Sequence, residues 1–458
     1  MNIMPNSPQA RDIAYHVHPQ TNLVQHQSEG PLVIDRGEGV YVWDDAGNRY
    51  IEAMAGLWCA SLGFSERRLA EVAYQQMKKL PYGHTFYSRG HEPSIDLAER
   101  LLALAPVPMS KVLFQCSGSE ANDTAIKLVW YYNNAIGRPE KKKIIGRIRG
   151  YHGTTAAAVS LSGQPLMHAD FDLPFPQFKH TDNPHYYRFH EDGESEEDFA
   201  TRMAANLEQL IQDEGPETVA AFFAEPVQGA GGALTPPATY FDKIQAVLKK
   251  YDVLFIADEV ICGFGRTGNM WGSQTYDLKP DMLTCAKALS ASYMPISAVM
   301  VSEPIYQAMV TESEKVGVFG HGYTYSAHPV ASAVALETLK IYEEMDMVAQ
   351  VQAISPHFQD AFAGFAEHPL IGDVRGVGLV LGMELVRDKA TREAFDADVK
   401  IGAMVERHCL NHGIIARAIG DRLCFCPPFI IEKSQIDDIV AGVTKALDDS
   451  AAELGGGV

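Results

Sequence analysis

Beyond residue 94 the chain alternates short, unbroken apolar runs with segments whose apolar positions recur at helical spacing. The runs are VLFQC (112–116), IIGRIRG (144–150), AAFFAEPV (220–227) and VLFIADEV (253–260); the helical segments cover 94–104, 119–137, 196–214 and 239–252. Runs that are apolar throughout suit strands covered on both faces, so this alternation predicts an α/β fold, a mostly parallel sheet sandwiched by helices. Before it, residues 31–54 alternate apolar and polar positions around Gly37-Glu38-Gly39 and Asp45-Ala46-Gly47, the pattern of a short antiparallel meander. Residues 65–80 have helical spacing. Residues 1 to about 30 are polar and are expected to be an arm with little packing of its own, and 174–195 reads as a long irregular insertion.

After His328-Pro329 a helix spans 330–344, and the character of the chain then changes. A Gly-rich hairpin (372–386), a helix (401–413), strands at 414–418 and 422–431 and a terminal amphipathic helix read as a smaller α+β unit. The expected division is therefore an arm and meander (1–60), a large domain (61–330) and a C-terminal small domain (331–458), with 1–60 contributing to the small domain.

Composition narrows the partners. With 58 acidic against 38 Lys and Arg residues the net charge is -20, which disfavours nucleic acid and anionic membranes. The one basic cluster, Lys141-Lys142-Lys143, reads as a solvated strand entry. Seven scattered cysteines suggest free thiols in a reducing compartment rather than a disulfide framework. No run approaches the length of a membrane span, and the N-terminal stretch lacks a signal-peptide pattern, so a cytoplasmic protein is expected. His180, His185 and His190 in the insertion lack ligand spacing, so no metal centre is expected.

The chemistry gathers between Val253 and Ser290. The run 253–257 ends in Asp258 and Glu259, and ligands of open α/β sheets sit beyond the carboxyl ends of such strands. A carboxylate buried there needs a cation, which a protonated pyridine nitrogen supplies. Lys287 follows a second apolar segment, between Ala286 and Ala288; desolvation there favours the neutral amine needed to form a Schiff base. In QCSGSEANDT (115–124) a strand runs into a helix through Gly118, with Ser119 as the expected N-cap and Glu120 in the first turn. Its free N–H groups suit a phosphate. No Gly-Lys-Ser/Thr follows, and GFGRTG (263–268) lacks the third spaced glycine of a dinucleotide site. Taken together, cradle, carboxylate and lysine describe pyridoxal 5′-phosphate.

DEVICGFGRTG with the lysine of CAKAL resembles the signature of class III (ω-) aminotransferases, within the fold-type I pyridoxal-phosphate enzymes. SGSEAND, GYHG, EPVQGAGG, HGYTYSAHP and ARA extend that resemblance over nearly the whole chain. It implies that Lys287 and Asp258 are catalytic: Lys287 carries the Schiff base and shuttles the substrate proton, and Asp258 pairs with the pyridinium nitrogen. It further implies that Ser117, Gly118 and Ser119 hold the phosphate, joined by Tyr323 and by Thr324 from the other subunit of a homodimer or of a tetramer built from such dimers. Tyr151 stacks on one ring face and Val260 packs on the other, with His152, Glu225 and Gln228 completing the cofactor site.

One position narrows the branch. Ornithine-, acetylornithine- and GABA-type members carry Gln after D-E-V/I, where this chain has Ile261. With AGLWC (55–59) it resembles the amine, β-alanine or polyamine:pyruvate branch. Leu57, Trp58, Phe86, Tyr151 and Ala230 are then expected to wall the amine pocket, and Arg417 to bind the keto-acid carboxylate. The implied reaction is ping-pong transfer from a primary amine or ω-amino acid to pyruvate, giving alanine. The alternatives are an aminomutase or decarboxylase of the same fold, or a non-catalytic cofactor-binding regulator.

Overall fold

The computed structural model describes residues 4–455. Its centre is a seven-stranded sheet in the order Lys111–Gln115, Ser297–Val301, Met282–Cys285, Leu254–Asp258, Val219–Ala224, Lys143–Arg147, Phe178–Thr181. Four of the six pairings are parallel; Ser297–Val301 is the antiparallel strand, pairing with both of its neighbours that way. The expected α/β fold is the one formed.

Period-two alternation explains why the central strands are apolar throughout. In Val219–Ala224, buried at every position, Phe222 faces the helices Glu196–Glu214 and Tyr240–Lys250 with Phe199, Phe241 and Phe255. Its neighbour Phe223 faces the opposite layer with Ile126, Val129 and Ile256, under the helix Gly118–Ala135. Each such phenylalanine contributes about 1.5–3 kcal/mol on burial.

Two smaller sheets flank this core. The meander Ile34–Glu38, Tyr41–Asp44, Arg49–Glu52 is antiparallel, and Ile414–Ile415 adds to it in parallel, joining N- and C-terminal segments. The hairpin Ile371–Val377 and Val380–Leu385 extends through Arg422–Phe425 to Arg417–Ala418. The expected single strand at 414–418 is thus two short strands in different sheets, because an apolar run specifies extension but not a pairing partner.

One expectation is given detail and two are corrected. Residues 8–15 and 23–29 are helices, each opened by a side-chain cap, Ser7 Oγ and Asn22 Oδ1. Within 174–195, Phe178–Thr181 is the edge strand of the large sheet and Tyr186–Phe189 a helical turn; FKHT is too short and polar to announce itself. Lys141 is not solvated: it is 5% exposed, and its ammonium donates to the carbonyls of Tyr251 and Asp252 at the end of the helix Tyr240–Lys250. Among the described residues no helix is long and apolar enough to cross a membrane.

Candidate active site

A cavity of about 280 Å³ opens where five strands of the large sheet end. Asp258 closes the strand Leu254–Asp258, while Gly118, Tyr151, Glu225 and Lys287 each follow shortly after the last residue of another strand. All five border the cavity. Their separation in sequence is long, and the sheet alone brings them together.

Asp258 is 2% exposed and its carboxylate accepts three hydrogen bonds. Oδ2 accepts from His152 Nδ1 at 2.7 Å and Asn122 Nδ2 at 2.8 Å, and Oδ1 accepts from the Val260 N–H at 3.1 Å. Asn122 is in turn fixed by Thr284 Oγ1, which donates to its Oδ1 at 2.9 Å. The adjacent Glu259 points elsewhere: it accepts from the Gly272 and Ser273 N–H groups and from Ser273 Oγ. Burial outweighs those three bonds and pushes Glu259 up to about 7. Of the two carboxylates that end the run, one serves the cavity and the other ties down a neighbouring turn.

The helix Gly118–Ala135 aims its N-terminus at the cavity. Its N-cap is Ser117, not Ser119: Ser117 Oγ accepts from Glu120 N, and Glu120 Oε2 accepts from Cys116 N and Ser117 N, a reciprocal capping box. The three-residue spacing from Ser117 to Glu120 carries that signal in the sequence. The correction matters chemically, because it leaves the Gly118 and Ser119 N–H groups with no intrahelical partner. Together with the helix dipole they make an anion site. Ser119 Oγ accepts from Thr154 N at 3.1 Å. A Cβ at Gly118 would stand 3.0 Å from Val260 Cγ1, so glycine keeps this wall open.

Lys287 begins a short turn directly beyond Met282–Cys285, in a left-handed conformation (φ 48°). Burial pushes its ammonium below the usual lysine range, with Cys59, Asp258 and Glu225 acting in the opposite sense. Tyr151 borders the cavity, its phenol raised by burial. Its backbone N–H donates to Glu225 Oε1 at 3.0 Å, and Glu225 Oε2 accepts from Gly229 N at 3.0 Å; burial raises this carboxyl too. Gln228 donates through Nε2 to Ile148 O while its Oε1 has no partner; His152 Nε2 likewise has none. An anion cradle at one end, a buried acceptor at the other and a desolvated amine between suit a phosphorylated aromatic cation bearing a carbonyl.

Other expected residues are not brought to this cavity by their own chain. Phe86 stands against Gly322 beside a second cavity, lined also by Gln115 and Phe319. Thr324 is engaged through its carbonyl with Tyr82 OH, and Tyr323 OH reaches Thr124 Oγ1 at 3.4 Å. Leu57 is 58% exposed, and Ala230 offers its carbonyl to Gln164. Trp58, 2% exposed, packs with Ile261, Cys262, Cys424 and Cys426, and Ile261 itself lines the cavity. Arg417, paired with Cys424 on its strand, opposes the rise at the Tyr151 phenol electrostatically. Asn122 is a functional residue without a sequence signal: a lone Asn inside a helix means little until Asp258 is seen beside it.

The sequence matches the family Aminotransferase class-III over residues 24–447. It is 53% identical over 421 residues to gamma aminobutyrate transaminase 3, chloroplastic, of Solanum lycopersicum, covering 92% of this chain and 81% of that protein. The fold superposes on the omega transaminase from Pseudomonas jessenii in complex with PMP with a TM-score of 0.97 and 51% identity, covering 99% of this chain and all of the other. A transaminase solved with L-ala is similar at 56% identity and TM-score 0.91, over 92% of this chain and all of the other.

Proposed function

Because the chain belongs to the class-III aminotransferases, a family that uses pyridoxal 5′-phosphate, we propose that it moves amino groups from primary amines or ω-amino acids to pyruvate. The donor range proposed runs from β-alanine through longer ω-amino acids and diamines to aryl-alkyl amines. When bound, the cofactor supplies an electron-withdrawing ring that takes up the electrons left as the substrate C–H bond breaks. The chain's own residues then divide the work. Asp258, held by His152 and Asn122, would present a negative charge that keeps a proton on the ring nitrogen. Gly118 and Ser119 would hold the phosphate through their free N–H groups. Lys287, its amine favoured by desolvation, would take the proton from the substrate carbon and deliver it to the carbon that carried the cofactor's carbonyl. Tyr151 and Val260 would confine the ring, and Arg417 would receive the keto-acid carboxylate.

The acceptor proposal starts from Ile261, which stands where the resemblance places Gln in GABA-type members. It fills the space over Gly229, where a Cβ would stand 2.4 Å from Ile261 Cδ1. The similar transaminase solved with L-ala agrees with alanine as the amino product. Phe86, Tyr323 and Thr324 are proposed to serve the cavity of a second copy, in a homodimer or a tetramer built from such dimers. The exposed Tyr87, Val318 and Tyr325 around them support an apolar contact face. The seven cysteines are all free, which supports the proposed cytoplasmic setting.

The test is a matrix of donors against pyruvate and 2-oxoglutarate with the holoenzyme. Alanine formed from several donors, with pyruvate at least tenfold ahead in kcat/KM, is the expected result. A preference for 2-oxoglutarate with γ-aminobutyrate as donor would overturn it, in favour of the activity named for the tomato relative. Release of carbon dioxide without alanine would point to a decarboxylase.

A further inference from the structure

Four side chains of the N-terminal segment converge on one point outside the cavity. Asp12 lies on the helix Pro8–Tyr15, His16 and His18 just beyond it, and His26 on the helix Leu23–Glu29. His18 Nε2 is 2.8 Å from Asp12 Oδ1, His26 Nε2 is 3.1 Å from the same oxygen, and His16 Nδ1 is 3.2 Å from Oδ2. The imidazole centroids are 4.5 Å apart for His16 and His18, and 4.4 Å for His18 and His26. Asp12, His16 and His18 form a group of possible metal ligands with donor atoms all within 4.8 Å of one another, unmatched elsewhere among the described residues.

His26 supplies the second observation. It is the one buried residue of its helix, 9% exposed, and its Nε2 satisfies no hydrogen bond despite its approach to Asp12. A short helix ordinarily anchors through an apolar side chain; this one turns an unpartnered imidazole nitrogen inward. Two imidazoles addressing one carboxylate oxygen, one of them outside hydrogen-bond geometry, suit a shared cation better than two competing protons. The preceding helix, Pro8–Tyr15, buries no residue at all, and eight residues without a core contact are marginal in water. Something other than apolar packing holds this segment.

We propose that Asp12, His16 and His18 form a binding site for a divalent transition metal of the zinc class, with His26 of the second helix set against the same carboxylate oxygen and closing the site from the inside. One carboxylate and two imidazoles are ligands that borderline cations select, and three such ligands with water in the fourth position make a tetrahedral site. Gln9 Nε2 donates to Asp45 Oδ2 at 2.7 Å, which fastens the segment to the meander. The metal plays no part in amino transfer, and the site is independent of the function proposed above.

The experiment uses the pyridoxal-phosphate-loaded enzyme, stripped with a chelator and titrated with Zn2+ alone, alongside the variant D12N/H26Q. One equivalent per chain, bound at least tenfold more tightly than by the variant, is expected. Co2+ should then give the intense visible bands of four-coordinate cobalt in the native enzyme only. Equal binding by both proteins, or none by the native enzyme, would overturn the site. Should the variant fail to fold, trypsin cleavage at the exposed Arg11 decides on the native enzyme: Zn2+ but not Mg2+ should slow it at least tenfold. No protection by Zn2+ refutes the proposal.

Discussion

Glu52 offers a quantitative test of how the wall carrying Trp58 is held. It ends the strand Arg49–Glu52, is 5% exposed, and accepts from the Met54 N–H at 3.1 Å and from the Gly56 N–H. These bonds pin a tight bend in which Ala55, Gly56 and Trp58 all have positive φ. Burial dominates the two backbone donors and lifts this carboxyl from 4.5 to about 7. Such a rise corresponds to about 3 kcal/mol of preference for the neutral form in the fold. The folded-state value is the higher one, so the stabilisation is complete below about pH 4.5 and is lost as pH rises through about 7. Glu52→Gln fixes the side chain in a neutral, isosteric form, which resembles the native enzyme at low pH and spares the variant the loss at high pH. Urea unfolding at about pH 5 and about pH 8 should therefore show the stability difference moving in favour of the variant by about 2–3 kcal/mol. A difference that does not change with pH would refute the burial argument. A variant that loses stability equally at both values would mean that the two N–H bonds outweigh desolvation throughout.

Further outcomes follow from the cavity. Lys287→Ala should abolish multiple turnovers, measured as alanine formed per active site, while leaving the unfolding midpoint nearly unchanged. Asp258→Asn keeps the shape but removes the charge that His152 and Asn122 hold in place. The expected fall in kcat is about 10²–10³-fold, with faster loss of cofactor on dialysis; turnover within twofold of native would contradict the role. Gly118→Ala puts a methyl 3.0 Å from Val260 Cγ1 and should weaken cofactor binding by about tenfold or more, read by equilibrium titration of the apoenzyme. Undiminished affinity would mean that this wall yields.

Most of the large sheet was legible because its central strands are buried on both faces and so are apolar without interruption; Ser297–Val301, equally buried, was not among the expected strands. The same rule hid Phe178–Thr181, an edge strand polar at three of four positions. Lys141 shows the opposite failure: a lysine run reads as solvent-facing, yet its ammonium reaches carbonyls across the fold. The phosphate cradle was read from Gly118 and a neighbouring serine, but which serine caps the helix depended on the reciprocal bonds of Ser117 and Glu120.

By itself, the sequence determined the fold class and the cofactor chemistry, and it placed Asp258 and Lys287 at strand ends. Hydrophobic periodicity and the chemical types at strand ends are local properties, and they survive without coordinates. Tertiary structure decided which carboxylate of the Asp258-Glu259 pair faces the cavity, and that Asn122 and His152 hold it. It also separated Phe86, Tyr323 and Thr324 from the cavity of their own chain and drew Asp12, His16, His18 and His26 to one point. Those outcomes rest on distances between residues remote in sequence or on the direction of a side chain at a turn. Both are fixed by packing rather than by residue type.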